Sequence, residues 1–558
     1  MTQHRRRRVP KLLPVFVGAA WLLGGGVPAS AAPLTFTVNS TADAVDANIG
    51  DNACRTAAGV CTLRAAIQES NAHNGADTIS LPTGGVYKLT ISGRNENHAA
   101  TGDLDITDAV NITGAGASSV IIDGNGLDRV FDIDFNGTVN ISGVTIRNGN
   151  PGVASGGGIQ TGATLANQTV TLNLSNVVVT QNTGGVSGGG IANTDILSLT
   201  DVTVSNNTCA GTSCSGGGVS NSTGGVATLN RVTLSGNSAT GGGGLESDFD
   251  VNLTNVTISN NSADSGAGMQ HNSGNATLVN VTISNNIATP GGGGFVNLGD
   301  ATFKYTIFEH DPASETCMNL TFDPTMFTSG GHNIDVGTSC GLTGTGDLSN
   351  TDPGIAPLAS NGGPTQTQAL VMGSPAINAG GTDCPPPSTD QRSVSRPQPS
   401  GGRCDIGAFE HRSTDPFPTT TTSTTTSSTT TTRPPTTTTT STTSTTTRPP
   451  TTTTSTTSTT TRPPTTTTST TSTTSTTTTT LLCGDVNGDG VVNIGDALVI
   501  AQYTVDLRTC GLAPFGHPQV CDVNRDGGCN IGDALRMAQC SVELISCNFS
   551  CLPFSCPP

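Results

Sequence analysis

The feature that most constrains this chain is a two-part unit that recurs from about Gly156 to Val296. Its first part is a small-residue triplet closed by an apolar residue: Gly156 to Ile159, Gly188 to Ile191, Gly216 to Val219, Gly242 to Leu245, Gly266 to Met269 and Gly292 to Phe295. Its second is an alternating segment ending in asparagine, as in Leu199 to Asn207, Val256 to Asn261 and Val281 to Asn286. The triplets start 24 to 32 residues apart, a spacing that means a solenoid of stacked coils and not a globular core. Within each alternating segment the apolar residues, Val256 and Ile258 or Val281 and Ile283, fall on one face of a strand, with Thr and Ser on the other. The pattern predicts one face in the core and one in water. Glycine supplies corners that need positive φ or close backbone approach, asparagine tolerates the left-handed conformation, and stacked Asn side chains can form a ladder. The expected fold class is mostly β: a right-handed parallel β-helix over 111–345.

The composition shifts along the 558 residues, so the chain reads in segments. His4 and Arg5 to Arg8, the apolar run Leu12 to Leu23 and Ala29-Ser30-Ala31 form a signal peptide over 1–31, which predicts an extracellular protein, secreted or attached to the cell surface, with no membrane span in the mature chain. The 16 cysteines suit that oxidising setting. Four local pairings are expected in the body, Cys54/Cys61, Cys209/Cys214, Cys317/Cys340 and Cys384/Cys404, while the eight tail cysteines leave their connectivity open. A formal charge of −17 argues against nucleic acid as a partner.

Two stretches flanking the coils resemble known families. Phe36 to Asp43 followed by Cys61 to Glu69 (CTLRAAIQE) is similar to the start of the CSLREA-motif proteins, which are exported β-helices, although Thr62 and Ala65 depart from the motif. Thr62 can cap a short amphipathic helix with Leu63, Ala66 and Ile67 inward, closing the first coil within an N-terminal cap region, 32–110. Asp352-Pro353, Asn361 to Thr365, Gly373 to Gly380, Thr389 to Arg392 and Cys404 to Glu410 resemble the choice-of-anchor Q region found behind such β-helices, here 346–412.

Residues 413–480 are almost all Thr and Ser, punctuated by Arg-Pro-Pro at Arg433, Arg448 and Arg462, and this linker cannot form a core. Beyond it, at 481–558, oxygen ligands recur at loop positions 1, 3, 5, 7, 9 and 12. They are Asp485, Asn487, Asp489, the carbonyl of Val491, Asn493 and Asp496, and then Asp522, Asn524, Asp526, the carbonyl of Gly528, Asn530 and Asp533. That spacing, with glycine at position 6, is a calcium loop used twice, so two calcium ions are expected. Each loop runs into an apolar helix, Ala497 to Tyr503 and Ala534 to Gln539, with no entering helix. The arrangement resembles the type I dockerin repeat, a small α calcium-binding module by which exported enzymes dock onto cohesins. The resemblance implies a cohesin-like partner met by Ile494, Gly495, Ile531 and Gly532; the other reading makes Ile494 and Ile531 core residues of a calcium-stabilised cap.

Whether the coils catalyse anything stays open in the sequence. Polysaccharide lyases and hydrolases on this fold need converging carboxylates with basic partners. Asp103/Asp105, Asp132/Asp134 and Asp248/Asp250 each place two carboxylates on one strand face by period 2. Asn193-Thr194-Asp195 matches a polygalacturonase tripeptide but no companion motif follows it, and Arg129, Arg147, Arg231 and His271 are the basic residues of the coils. Charges solvating a coil are the bland account. Three functions remain: a non-catalytic adhesion-type β-helix docked through its tail onto a cohesin-like partner and touching extracellular polysaccharide or cell-surface glycan, a dockerin-borne polysaccharide-degrading enzyme acting on O-glycosyl bonds, and a structural spacer.

Overall fold

The computed structural model describes residues 31–418, apart from 95, 163–167, 223, 310–314 and 321–326; in the C-terminal segment it describes 486, 500, 521–523, 529, 534 and 536. The chain divides into two compact units, Met1–Thr429 and Thr430–Pro558. The signal segment up to residue 30, most of the Thr-rich linker, eleven of the twelve proposed calcium ligands (all but Asp522) and the four proposed partner-contacting residues lie outside the described residues. Among the described residues, no helix is long and apolar enough to cross a membrane.

The first unit is the parallel β-helix that the repeat predicts. Every strand pairs in parallel with its counterpart one coil away, from Thr35–Thr37 to Ile334–Asp335. The apolar residues therefore stack in columns: Phe36, Ile79, Ile112, Ile141, Leu174, Leu199, Leu229, Leu253, Leu278 and Phe303 follow one another in register. All are buried in one continuous core. A stack of this kind exists because no single coil can bury its own apolar face.

The corners work as the glycine and asparagine pattern predicts. Gly188 opens its triplet at φ +60°, and Asn206, Asn260 and Asn285 turn the strand ends at φ +54°, +59° and +52°. Gly189 and Gly190 serve a different purpose: a Cβ on either would stand 2.4 and 2.6 Å from the carbonyls of Gly217 and Gly218 in the next coil. The expected ladder also forms. The Nδ2 groups of Asn182, Asn207, Asn237 and Asn261 each donate to the Oδ1 of the next asparagine, ending at Asn286, over 2.9–3.0 Å.

One expectation fails. The hydroxyl face of the later coils does not meet water: Thr257, Ser259, Thr282 and Ser284 are buried. The 346–412 segment lies along it. Thr257 Oγ1 donates to Gln391 Oε1 (2.7 Å), Ser284 Oγ donates to Gln368 Oε1 (2.6 Å), and the Ala408 amide donates to Thr282 Oγ1 (3.0 Å). Motif residues of that segment are thus a polar clamp on the solenoid wall. Arg396 and Glu410 pair at 2.7 Å in its fully buried centre.

At the other end, helix α1 (Leu63–Ala72) begins as expected, with Thr62 Oγ1 accepting from the Ala65 amide (3.2 Å). Leu63, Ala66 and Ile67 join the same core as Phe36 and Ile79. All four local disulfides are present, and Cys521–Cys529 joins them in the tail.

Candidate functional site

The regular stacking breaks between the strands Gly85–Lys88 and Leu104–Ile106, where the chain makes an excursion over 89–103. Arg94 holds its outer part, donating to the carbonyls of Leu127 (2.8 Å) and Asn150 (2.9 Å). At its inner end Ala99 is buried at φ +52°, a conformation that costs a non-glycine residue and persists only where its surroundings impose it. The Ala99 amide donates to Asp105 Oδ2 at 2.7 Å.

The β register then brings the acids together. Leu104, Phe131 and Ile159 stack inward, so their neighbours Asp105, Asp132 and Gln160 form an outward row. Asp103, Asp105 and Asp132 each offer an oxygen within 4.8 Å of the others. Arg129 pairs with Asp132 and stands 3.7 Å from Asp103. These groups border two adjoining depressions, a cleft of about 420 Å³ lined by Asp105, Thr107, Asp132, Asp134 and Gln160, and one of about 260 Å³ between Arg94, Asp103, Asp128 and Arg129.

Burial, and then the neighbouring Asp105, pushes the Asp103 carboxyl up to about 8. Burial pushes Asp105 up to about 7, against the opposing Ala99 hydrogen bond, and raises Asp132 against the opposing charge of Arg129. Like charges crowded out of water keep a proton among them at neutral pH. The cluster can therefore donate a proton while a neighbouring carboxylate stays ionised, the requirement of general acid–base chemistry. The same oxygens are also the donor type that a hard divalent cation takes.

The structure thus corrects the solvating-charge account for the Asp103/Asp105 pair, while Asp132 and Asp134 stay partly exposed. Asp103 and Asp105 are only 4% and 3% exposed; Asp132 borders both depressions, with Asp105 and Asp134 in the larger and Asp103 in the smaller. For Asp248 and Asp250 the single-face expectation is wrong, because both lie in the corner between the strands Leu245–Ser247 and Val251–Ser259. Asp248 accepts from Asn272 (2.8 Å), whereas Asp250 accepts from the Asn275 amide (2.9 Å). Asn193 of the polygalacturonase-like tripeptide is a buried rung, bonded to Thr161 and Asn221. Arg147 and Arg231 pair with Asp123 and Asp201.

Sequence reasoning missed Glu246, which continues the outward row through Ser220. It accepts from Ser220 Oγ (2.8 Å) and Asn272 (2.9 Å), and burial, then Asp248, pushes it up to about 8. Its signal was present: the residue after the apolar residue closing each triplet points outward, and there Gln160, Ala192, Ser220 and Gln270 are uncharged.

In the tail, Asp522, the proposed first ligand of the second loop, is 1% exposed, and the Cys521–Cys529 disulfide closes that loop from its preceding residue. Ile500, Ala534 and Arg536 are helical, as the loop-to-helix reading requires. Residues 483–540 match the family described as Dockerin type I domain, and the C-terminus carries that domain. No curated protein matches the chain. Among solved structures, a crystal structure of pectate lyase Pel9A is similar over 69% of this chain and 98% of its own, at 13% identity and a TM-score of 0.41.

Proposed function

We propose that this protein works outside the cell, held by calcium-dependent docking of its C-terminal module to a cohesin-like partner, and that the 103–134 cleft is a polysaccharide-binding surface displayed by that attachment. The observation that carries the docking is the coincidence of the dockerin match with two complete sets of calcium ligands. Asp522 fits the role, being a carboxylate withdrawn from solvent at position 1 of its loop. The residues for one ion are Asp485, Asn487, Asp489, Val491, Asn493 and Asp496. Those for the other are Asp522, Asn524, Asp526, Gly528, Asn530 and Asp533. A bound cation relieves the mutual repulsion of three carboxylates in the first loop and so contributes to folding of the module. Ile494-Gly495 and Ile531-Gly532, the same pair at loop positions 10 and 11 twice over, are the proposed partner contacts.

The test uses the full chain and an immobilised type I cohesin. Capture is expected with calcium and is expected to fall at least tenfold with chelator. Asp485→Ala and Asp522→Ala should each remove one of two calcium ions in a calorimetric titration. Binding that survives chelation, or a titration with no sites, overturns the docking reading.

The raised proton affinity of Asp103 and Asp105 favours a second reading, in which the cleft cleaves O-glycosyl bonds. One carboxyl protonates the leaving oxygen while an ionised neighbour acts as base or nucleophile. The excess of acid over Arg94 and Arg129 in the cleft favours a neutral glycan over a polyuronate in the absence of a bridging cation. Release of reducing ends from xylan, abolished by Asp105→Asn together with Asp132→Asn, is the expected result; no release from xylan or pectin leaves the cleft a binding surface.

A further inference from the structure

The N-terminal helix reaches beyond the core that it closes. Arg64 is 1% exposed, the largest of the fully buried side chains. Its guanidinium faces two ways. Toward the N-terminal segment, Nε donates to Asp43 Oδ1 (2.6 Å) and Nη2 to Asp43 Oδ2 (3.3 Å). Toward the cleft, Nη1 donates to the carbonyls of Ala99 (3.1 Å) and Asp103 (2.9 Å), and Nη2 to that of Gly102 (2.8 Å). One turn along the helix, Gln68 Nε2 donates to the same Ala99 carbonyl (3.0 Å). A lid for apolar strand ends needs none of these bonds. Four of the six grip the backbone of 99–103, whose first residue binds Asp105 through its amide and whose last is Asp103 itself.

We propose that Arg64, seconded by Gln68, is the positioning residue of the acid cleft: α1 fixes the 99–103 backbone and thereby sets where Asp103 and Asp105 stand and how far water is kept from them. This rests on the reading of the cleft as the working surface. A planar guanidinium suits the task because its donors diverge in fixed directions toward several carbonyls at once, which a lysine ammonium cannot reproduce. The left-handed Ala99 is explained by the same grip, since its carbonyl is held from two side chains while its amide is turned to Asp105.

The readout is the titration of the Asp105 carboxyl carbon by NMR in the full chain, where Glu96, Asp103, Arg129 and Asp132 are the charged groups around it, with Asp134 lining the same cleft. Two variants are compared with the parent: Arg64→Lys, which keeps the charge on Asp43 but loses the fork, and Gln68→Met, which leaves the Arg64–Asp43 pair intact and keeps the protein measurable should Arg64→Lys not fold. Loosening 99–103 removes both the burial that raises Asp105 and the Ala99 amide that lowers it; burial is the larger, so the midpoint should fall. A drop of at least one unit, a tenfold loss of proton affinity, is expected in Arg64→Lys and a smaller drop in Gln68→Met, with the amide signals of Gly189 and Gly217 unmoved. Folded variants whose Asp105 midpoint equals the parent's overturn the proposal. A midpoint that moves in a protein that binds no polysaccharide upholds the positioning and removes the ligand reading instead.

Discussion

The coils from Gly156 to Val296 and those from Leu89 to Asp134 share one core and one register, yet they are built to different rules. The first set repeats its glycine corners and satisfies its inward amides rung by rung, Asn182 through Asn286. The second has no glycine triplet; it has an excursion, a left-handed alanine and three carboxyls brought together, two of them buried. Repetition marks what a coil needs in order to stack, and departure from repetition marks what stacking does not explain. Apart from Glu246, the strongly raised carboxyls of the coils fall in the irregular set.

That contrast can be broken experimentally. The largest effect belongs to the regular set: Leu229→Ala, in the middle of the apolar column, should cost about 3–4 kcal/mol in denaturant unfolding. Asn237→Ala strips the Asn207 side chain and the Val204 carbonyl of their partners and should cost about 2 kcal/mol. The irregular set should respond with the opposite sign. Asp103 holds its proton to about 8 in the folded chain against an ordinary value of 3.8. The folded state therefore binds the extra proton across that window, and stability falls as pH rises through it. Asp103→Asn should match the parent at pH 4 and exceed it by about 1–2 kcal/mol at pH 8.5, a crossover that melting curves at both values will show. The smallest effect is at the cap, where Thr62→Ala should cost about 1 kcal/mol.

The same contrast governs what could be read from the sequence. The solenoid was legible because its constraints recur: six triplets and their strand-end asparagines give period, corner and ladder together. The four local disulfides and the Thr62 cap were legible because their partners lie within a few turns of chain. The burial of Thr257 and Thr282 was not, since it depends on Gln391 and Ala408, more than 120 residues away. The acid pairs were visible as pairs, but their meeting depends on register between Leu104–Ile106 and Phe131–Ile133, which spacing alone does not supply. Arg64 reads locally as one more residue of a capping helix; its partners, at 43 and 99–103, come from both sides of it in the chain.

The most direct test of the account is binding of neutral and acidic polysaccharide to the full chain and to a variant carrying Asp105→Ala and Asp132→Ala. The parent should bind xylan, and the variant, still folded by its far-UV spectrum, should lose at least tenfold in affinity, because these side chains line the cleft and not the apolar columns. Undiminished binding by a folded variant would place the ligand elsewhere on the solenoid and contradict the claim that function sits where the repeat breaks.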